Sequence, residues 1–371
     1  MKKPKQLHRQ QIMAIKPYVP GKPVEEVERE MGLSGVIKLA SNENPLGPAP
    51  AAIAKMQEVI SKVAVYPDGN CYYLKNALAE ALNLTPAHLL VGNGSDEVIK
   101  LIAEAFLSEG EEAVVADPTF SEYDFAVKIM GGQTVVVPTK NYTHDLEAMA
   151  AAVTEKTKLL FVCNPNNPTG TKVGKAEVKN LLDKLPEGLI TVFDEAYYEY
   201  VVDEDFPQTL DFVREGRDVI VLRTFSKIYG LAGLRVGFGV AKPELISLLS
   251  RVKEPFNVNM VAQAAALAAL GDEEHVLRSR QMNEEGKQYL CRQFDKLGLP
   301  FVPTHANFIW VKSKADCKQV FAKLLQRGVI VRTGDIFGAP DVIRVTIGTP
   351  EQNQRFIEAL TEVLTEEGIV R

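Results

Sequence analysis

Three apolar runs of the sequence end near side chains that can do chemistry: an amide, a carboxylate and an amine. The runs and their side chains are 158–163 with Asn167, 189–193 with Asp194, and 219–222 with Lys227. Apolar runs without clean alternation are typical of buried parallel strands, and the chemistry of such sheets lies just past the carboxyl ends of the strands. We therefore expect the three side chains to meet at one rim of a sheet. A lysine alone is usually a solvated surface charge, so the prediction rests on the combination.

An amine, a carboxylate and an amide are the groups that pyridoxal phosphate requires. The amine attaches the aldehyde covalently, the carboxylate pairs with the pyridine nitrogen, and hydrogen-bond donors hold the ring phenolate. The cofactor's phosphate is a dianion, which the forked guanidinium of Arg235 can bind while Thr224 and Ser226 donate hydroxyls. The sequence around Lys227 therefore favours a pyridoxal-phosphate site.

Three segments carry a family resemblance: NPNNPTG at 164–170, DEAY at 194–197 and TFSKIYGLAGLRVGF at 224–238. They resemble fold-type I pyridoxal-phosphate aminotransferases. With LASNENPLG at 39–47 and IRVTIGT at 343–349, the whole chain resembles the histidinol-phosphate aminotransferases. The resemblance implies that Lys227 holds the cofactor and then acts as the base for the α-proton. It also implies that Asp194 keeps the pyridine nitrogen protonated, and that Tyr197 and Asn167 hydrogen-bond the ring oxygen.

A glycine-containing turn at 92–95 precedes a predicted helix, whose apolar residues from 98 to 106 fall on one face. The first turn of a helix has unpaired N–H groups at the positive end of its dipole, which suits a phosphate. The resemblance implies that Gly94, Ser95 and Asp96 donate from the backbone. The carboxylates of Asp96 and Glu97 in this turn would repel a phosphate unless their side chains turn away.

The resemblance assigns further residues around the cofactor and the substrate. Phe120 stacks on the pyridine ring, and Tyr123 lines the same wall. Tyr66 reaches the cofactor phosphate of the other subunit of a homodimer. The residues expected at the substrate are Tyr18 from an N-terminal arm, Asn42 with Glu43 from a loop bordering the site, and the two anion-binding arginines Arg332 and Arg344.

The length of the chain and its pattern of apolar segments predict an α/β fold with more than one domain. The chain of 371 residues exceeds what one core usually supports. We expect an N-terminal arm at 1–35 and a large cofactor-binding domain at 36–263 with a mostly parallel sheet, in which 36–50 link to the small domain. A smaller α+β domain follows at 264–371. Thr349, Pro350 and Gln352 predict a capped start for the last helix.

Composition excludes several other classes of protein. A net charge of −6 argues against a nucleic-acid partner, which would require a basic face. The apolar stretches are too short for a membrane span and the first residues lack an apolar signal region, so we expect a cytoplasmic protein without a membrane partner. The four cysteines are too few and too dispersed for a disulfide framework or a metal motif, and no metal site is expected.

The sequence therefore predicts a pyridoxal-phosphate enzyme, and the resemblance implies that it is a homodimer. Its expected reaction is amino transfer from L-histidinol phosphate to 2-oxoglutarate, which gives imidazole-acetol phosphate and L-glutamate in histidine biosynthesis. An aromatic-amino-acid aminotransferase is the alternative within the class, and a pyridoxal-phosphate lyase or decarboxylase is a third. A nicotinamide dehydrogenase fits less well, because the turn at 92–95 lacks the third glycine of a dinucleotide fingerprint.

Overall fold

The computed structural model describes residues 7–15, 17 and 21–370. In this part of the chain the strands are β1 (Ile37–Lys38), β2 (Leu89–Gly92), β3 (Glu112–Asp117), β4 (Gln133–Pro138), β5 (Thr157–Cys163), β6 (Ile190–Asp194), β7 (Val219–Thr224), β8 (Gly237–Ala241), β9 (Phe301–Val302), β10 (Phe308–Lys312), β11 (Val329–Ile330), β12 (Arg332–Thr333) and β13 (Val342–Thr346). The helices are α1 (Val24–Met31), α2 (Pro50–Val59), α3 (Tyr72–Ala81), α4 (Ser95–Phe106), α5 (Glu122–Met130), α6 (Leu146–Ala151), α7 (Lys175–Lys184), α8 (Thr209–Arg214), α9 (Pro243–Val252), α10 (Met260–Leu270), α11 (Glu273–Lys296), α12 (Cys317–Gln326) and α13 (Pro350–Glu366).

A seven-stranded sheet forms the centre of the larger part, in the order β2-β8-β7-β6-β5-β3-β4. The strands from β4 to β7 run parallel, whereas β8 is antiparallel to both β7 and β2. The order makes β5, β6 and β7 neighbours, with Asp194 opposite Cys163 on one side and Leu222 on the other. The carboxyl ends of these three strands therefore meet at one rim, and the predicted α/β class with a mostly parallel sheet is confirmed.

Both faces of this sheet are buried, which explains why apolar and polar residues do not alternate along its strands. In β7, Val219 and Val221 pack in one apolar cluster, and Ile220 and Leu222 pack in another on the opposite face. Helices cover each face, so every position along a central strand needs an apolar side chain. The predicted strands and the predicted helix after the turn at 92–95 agree with the structure to within a few residues.

A four-stranded antiparallel sheet, β12-β13-β10-β9, forms the smaller part with α11, α12 and α13. Strand β1 pairs in parallel with β11, and Leu39 packs in the core of the smaller part. The start of α13 has the predicted capping box, with Thr349 and Gln352 bonded reciprocally. The boundary expected near residue 263 falls inside α10, whose alanines pack in the core of the large sheet. The division into domains stays a prediction.

No helix in the described residues combines the length and apolar character that crossing a membrane requires.

Candidate active site

Two adjoining cavities open at the carboxyl ends of β5, β6 and β7. The inner cavity has a volume of about 240 Å³ and is lined by Ser41, Glu43, Ser95, Asp96, Phe120, Cys163, Asn167, Asp194, Ala196, Tyr197, Thr224, Ser226, Lys227, Ala232 and Arg235. The outer cavity has a volume of about 130 Å³ and shares five of these residues; it adds Gly21, Ala40, Asn42, Ser121, Arg332, Ile336, Phe337 and Arg344. The amine, carboxylate and amide expected at one rim therefore do share one cavity.

Lys227 lies three residues beyond the end of β7, where its partly buried side chain enters both cavities. Its Nζ atom donates to the carbonyl oxygen of Ser41 at 3.3 Å and lies 5.7 Å from the centre of the Tyr197 ring. Burial, followed by the nearby charge of Arg344, lowers the pKa of the Lys227 amine to about 8. About a tenth of the amine is therefore neutral, and nucleophilic, at pH 7.

Asp194 is the last residue of β6, and only 3% of its surface is exposed. Its Oδ2 atom accepts a hydrogen bond from the hydroxyl of Tyr123 at 2.7 Å, and its Oδ1 atom accepts one from the backbone N–H of Ala196 at 3.1 Å. Burial raises the pKa of the carboxyl to about 6, and the bond from Tyr123 opposes that rise. Tyr123 is held by stacking on Phe161, with ring centres 4.7 Å apart. We expected Tyr123 only to line the wall, because the sequence does not show where its hydroxyl points.

One end of the inner cavity is built for an anion. Helix α4 begins there, and Gly94 precedes it with φ of 82°. Arg235 donates to Ser226 Oγ at 3.5 Å and to Asp96 Oδ2 at 2.9 Å, so the Asp96 carboxylate is paired with a cation that lines the same cavity. A side chain on Gly94 would put its Cβ 2.5 Å from the guanidinium of Arg235. Only glycine allows the arginine to come this close to the helix start.

The other end of the inner cavity presents hydrogen-bond donors. Arg344 donates from Nη1 to Asn167 Oδ1 and from Nη2 to the carbonyl oxygen of Ala40 at 2.7 Å. Since the amide oxygen of Asn167 is engaged by Arg344, its NH₂ group faces other partners. The hydroxyl of the buried Tyr197 accepts a hydrogen bond from Asn42 Nδ2 at 2.9 Å. Burial raises the pKa of Tyr197, so the phenol keeps its proton.

The outer cavity has a cationic and an apolar side. Arg332 and Arg344 lie in adjacent strands and face each other in register, and both line the cavity. The guanidinium of Arg332 lies beside Gly21. Ile336 and Phe337, from a short 3₁₀ helix, provide an apolar wall that the sequence did not reveal.

Two predicted residues lie apart from this site or cannot be placed. Tyr66 is 80% exposed and stacks on Phe256 with ring centres 4.7 Å apart, so it lines neither cavity of its own chain. Its predicted reach into a partner subunit stays a prediction. Tyr18 lies outside the described residues.

The residues of the inner cavity fit pyridoxal phosphate in their chemistry. The lining contains the start of a helix, two hydroxyls and a guanidinium for the phosphate, a buried carboxylate for the pyridine nitrogen, an amine for the aldehyde, and an amide and a phenol for the ring oxygen. Phe120 adds an aromatic side chain to the same lining, in edge contact with Tyr123. Three features of the site could not be predicted from the sequence: the Ser41 carbonyl, the direction of the Tyr123 hydroxyl and the apolar wall. Short-range patterns carry no signal for such contacts between distant segments.

Comparison with known proteins gives the relationship of the chain. The model of the family "Aminotransferase class I and II" matches residues 34–360. A histidinol-phosphate aminotransferase of Moorella thermoacetica is 60% identical over 357 residues, which cover 96% of this chain and 92% of that protein. One of Brevibacillus brevis is 50% identical, covering 96% and 98%. The crystal structure of histidinol-phosphate aminotransferase from Sinorhizobium meliloti in complex with pyridoxal-5'-phosphate matches with a TM-score of 0.90 at 27% identity, covering 97% of this chain and 98% of that one. The chain therefore belongs to the class I and II aminotransferase family and, within it, to the histidinol-phosphate aminotransferases.

Proposed function

We propose that this aminotransferase transfers the amino group of L-histidinol phosphate to 2-oxoglutarate, which gives imidazole-acetol phosphate and L-glutamate in histidine biosynthesis. The observation that carries the proposal is a cavity in which the Lys227 amine lies between a phosphate-type anion site and a pair of arginines. The names of relatives that are 60% and 50% identical over nearly the whole chain support the same reaction.

The inner cavity would hold pyridoxal phosphate. Arg235, Thr224, Ser226 and the backbone N–H groups of Ser95 and Asp96 would bind the phosphate, and Asp194 would pair with the pyridine nitrogen. Gly94, expected as a third backbone donor, instead gives its N–H to the carbonyl oxygen of Gly92 at 2.9 Å. Asn167 and Tyr197 would donate to the ring oxygen, with Phe120 against the ring. When bound, the cofactor supplies an electron-withdrawing ring that disperses the negative charge left by a departing α-proton.

Lys227 would attach the cofactor and, once displaced by the incoming amine, take the proton from the substrate's α-carbon. A pKa of about 8 makes the amine basic enough for this step and leaves it partly neutral at physiological pH. The Ser41 carbonyl holds the Nζ atom at the junction of the two cavities, so the base lies where a substrate entering the outer cavity meets the inner one.

The outer cavity would select the substrate. Arg332 and Arg344 provide forked donors for an anionic group, which suits the phosphate of the donor and a carboxylate of the 2-oxo acid. The N-terminal arm would add Tyr18 to this anion site. The apolar side chains of Ile336 and Phe337 give a surface for the flat part of a substrate, which is why an aromatic amino acid is the competitor to test.

We also propose that the enzyme works as a homodimer in the cytoplasm. Residues 60–73 carry six exposed large apolar side chains: Ile60, Val63, Val65, Tyr66, Tyr72 and Tyr73. Concentrated exposure of this kind marks protein interfaces. Tyr66 lines neither cavity of its own chain. In such a dimer it would reach the cofactor phosphate of the partner subunit.

The test is turnover by the purified enzyme supplied with pyridoxal phosphate. L-histidinol phosphate and L-phenylalanine are compared as donors to 2-oxoglutarate, with L-glutamate measured as product and carbon dioxide monitored. We expect a kcat/KM for L-histidinol phosphate at least about 100-fold above that for L-phenylalanine, because a phosphate dianion is a stronger charge-assisted partner for the forked arginines than a carboxylate, and such a bond is worth about 1.5–3 kcal/mol. A preference for L-phenylalanine would replace the proposal with an aromatic aminotransferase, and release of carbon dioxide would replace it with a decarboxylase.

A further inference from the structure

Segment 39–44 passes between the large sheet and the smaller part of the protein, and its polar groups are bonded on both sides. The carbonyl oxygen of Ser41 accepts from Lys227, and the side chain of Asn44 donates to the carbonyl oxygen of Ile228 at 2.6 Å. Toward the smaller part, the carbonyl oxygen of Asn42 accepts from Asn307 at 2.9 Å. Asn42 is therefore held firmly, with 1% of its surface exposed and a left-handed backbone of φ 58° that asparagine tolerates.

The hydrogen bonds of Asn42 determine which way its amide points. Its backbone N–H donates to Thr346 Oγ1 at 2.9 Å, which uses a lone pair of that hydroxyl. The single hydrogen of Thr346 is then left for Asn42 Oδ1, at 3.1 Å. Because the amide oxygen faces Thr346, the amide nitrogen must face Tyr197, whose hydroxyl oxygen lies 2.9 Å from it.

The orientation of the amide in turn determines what the Tyr197 hydroxyl can do. An amide NH₂ group only donates, so the Tyr197 oxygen accepts from Asn42 and cannot spend its own hydrogen there. That hydrogen is left for an acceptor in the cavities that Tyr197 lines. A reversed amide would offer Tyr197 an oxygen and would divert the hydrogen away from the cavity.

We propose that Thr346 and Asn42 are positioning residues that orient the Tyr197 hydroxyl as a donor toward the ring oxygen of the cofactor. This inference rests on the proposed function and changes the role expected for Asn42, from a substrate ligand to a residue that acts through Tyr197. It also gives strand β13 two tasks at the site, since Arg344 engages Asn167 and Thr346 engages Asn42. Strand β13 would then orient both donors to the ring oxygen, the Asn167 amide and the Tyr197 hydroxyl.

The test follows the pKa that governs the visible absorbance of the bound cofactor. A donor at the phenolate oxygen stabilises the deprotonated form, so loss of the donor raises that pKa. Thr346→Val removes the hydroxyl at nearly constant shape and frees the amide to reverse, and we expect it to raise the pKa by about 1. Thr346→Ser keeps the hydroxyl and is expected to keep the wild-type value.

A double-variant cycle separates positioning from a general structural effect. In the Tyr197→Phe background, Thr346→Val is expected to leave the absorbance pKa unchanged, because there is no hydroxyl left to orient. An equal rise in both backgrounds, or no rise in the single variant, would overturn the inference. Should Thr346→Val fail to fold, neutron diffraction of the wild-type holoenzyme decides: deuterium on Thr346 pointing away from Asn42 Oδ1 also overturns it. A wild-type protein without cofactor absorbance would refute the proposed function instead.

Discussion

Tyr123→Phe should change the ionisation of Asp194 without altering the shape of the site. The substitution removes only the hydroxyl that donates to Asp194 Oδ2 at 2.7 Å, while the ring that stacks on Phe161 is retained. Burial has already raised the pKa of Asp194 to about 6, and the Tyr123 bond is the largest effect holding it down. Loss of that bond should raise the pKa further.

The size of the change follows from the type of bond. A hydrogen bond to a charged group contributes about 1.5–3 kcal/mol, and 1.36 kcal/mol corresponds to one pKa unit, so the pKa of Asp194 should move from about 6 to about 7–8. A carboxyl with a raised folded-state pKa stabilises the fold below its unfolded pKa, and that stability is lost as the pH rises through the folded pKa. The variant loses more of it, and the extra loss appears only above about pH 6.

The assay is urea unfolding of cofactor-free wild type and variant across about pH 6 to pH 9. The difference in unfolding free energy between them should grow by about 1.5–3 kcal/mol from the acid to the alkaline end of this range. Tyr200→Phe is the matched control, because it removes another buried phenol hydroxyl, one that interacts with Asn307, and its cost should not depend on pH. A Tyr123→Phe difference that stays constant or shrinks with pH would show that the Tyr123 hydroxyl does not hold down the pKa of Asp194.

Three further predictions concern the amine, a buried ion pair and the anion site. Stopped-flow absorbance can follow the rate at which cofactor-free protein takes up pyridoxal phosphate. This rate should rise with pH and level off above about 8, the pKa of Lys227, and an inflection near 10 would contradict this. Lys227→Arg should form no covalent link. Arg223→Met should lower the free energy of unfolding in denaturant by about 3–5 kcal/mol, because it leaves the fully buried Glu195 without its ion-pair partner. The double variant with Glu195→Gln should recover most of that free energy. A loss below about 1 kcal/mol in the single variant would be inconsistent with a buried pair. Gly94→Ala should weaken binding of the cofactor phosphate in an absorbance titration. Gly110 has nearly the same φ angle but no atoms near its missing Cβ, so Gly110→Ala should lower the stability of the protein and keep the affinity for the cofactor. Equal affinities in the two variants would show that the close approach of Arg235 to Gly94 is not needed.

Much of the fold and part of the candidate site could be predicted from local patterns. Unbroken apolar runs predicted buried parallel strands, whereas the order of those strands in the sheet was not predicted. The polar side chains just past each run could then be expected at one rim, where Asn167, Asp194 and Lys227 do share a cavity. The start of α13 was predictable for the same reason, because a capping box lies within four consecutive residues.

Contacts between segments far apart in the chain could not be predicted in this way. Which hydroxyl reaches Asp194, and which carbonyl holds Lys227, depend on side-chain packing and on a loop that crosses between the two sheets. The sequence did not show that the Asp96 carboxylate, which would otherwise repel a phosphate, pairs with Arg235, 139 residues further along.

The amino-acid sequence by itself therefore determined the class of fold, the family and the set of chemical groups at the rim, because these follow from periodicity and from motifs within short stretches. Only the tertiary structure decided how each group is protonated and oriented. Burial shifts the pKa values of Lys227 and Asp194 in opposite directions, and the amide of Asn42 is oriented by Thr346, 304 residues away. Desolvation and hydrogen-bond direction are properties of the packed interior, so they appear only when distant segments come together.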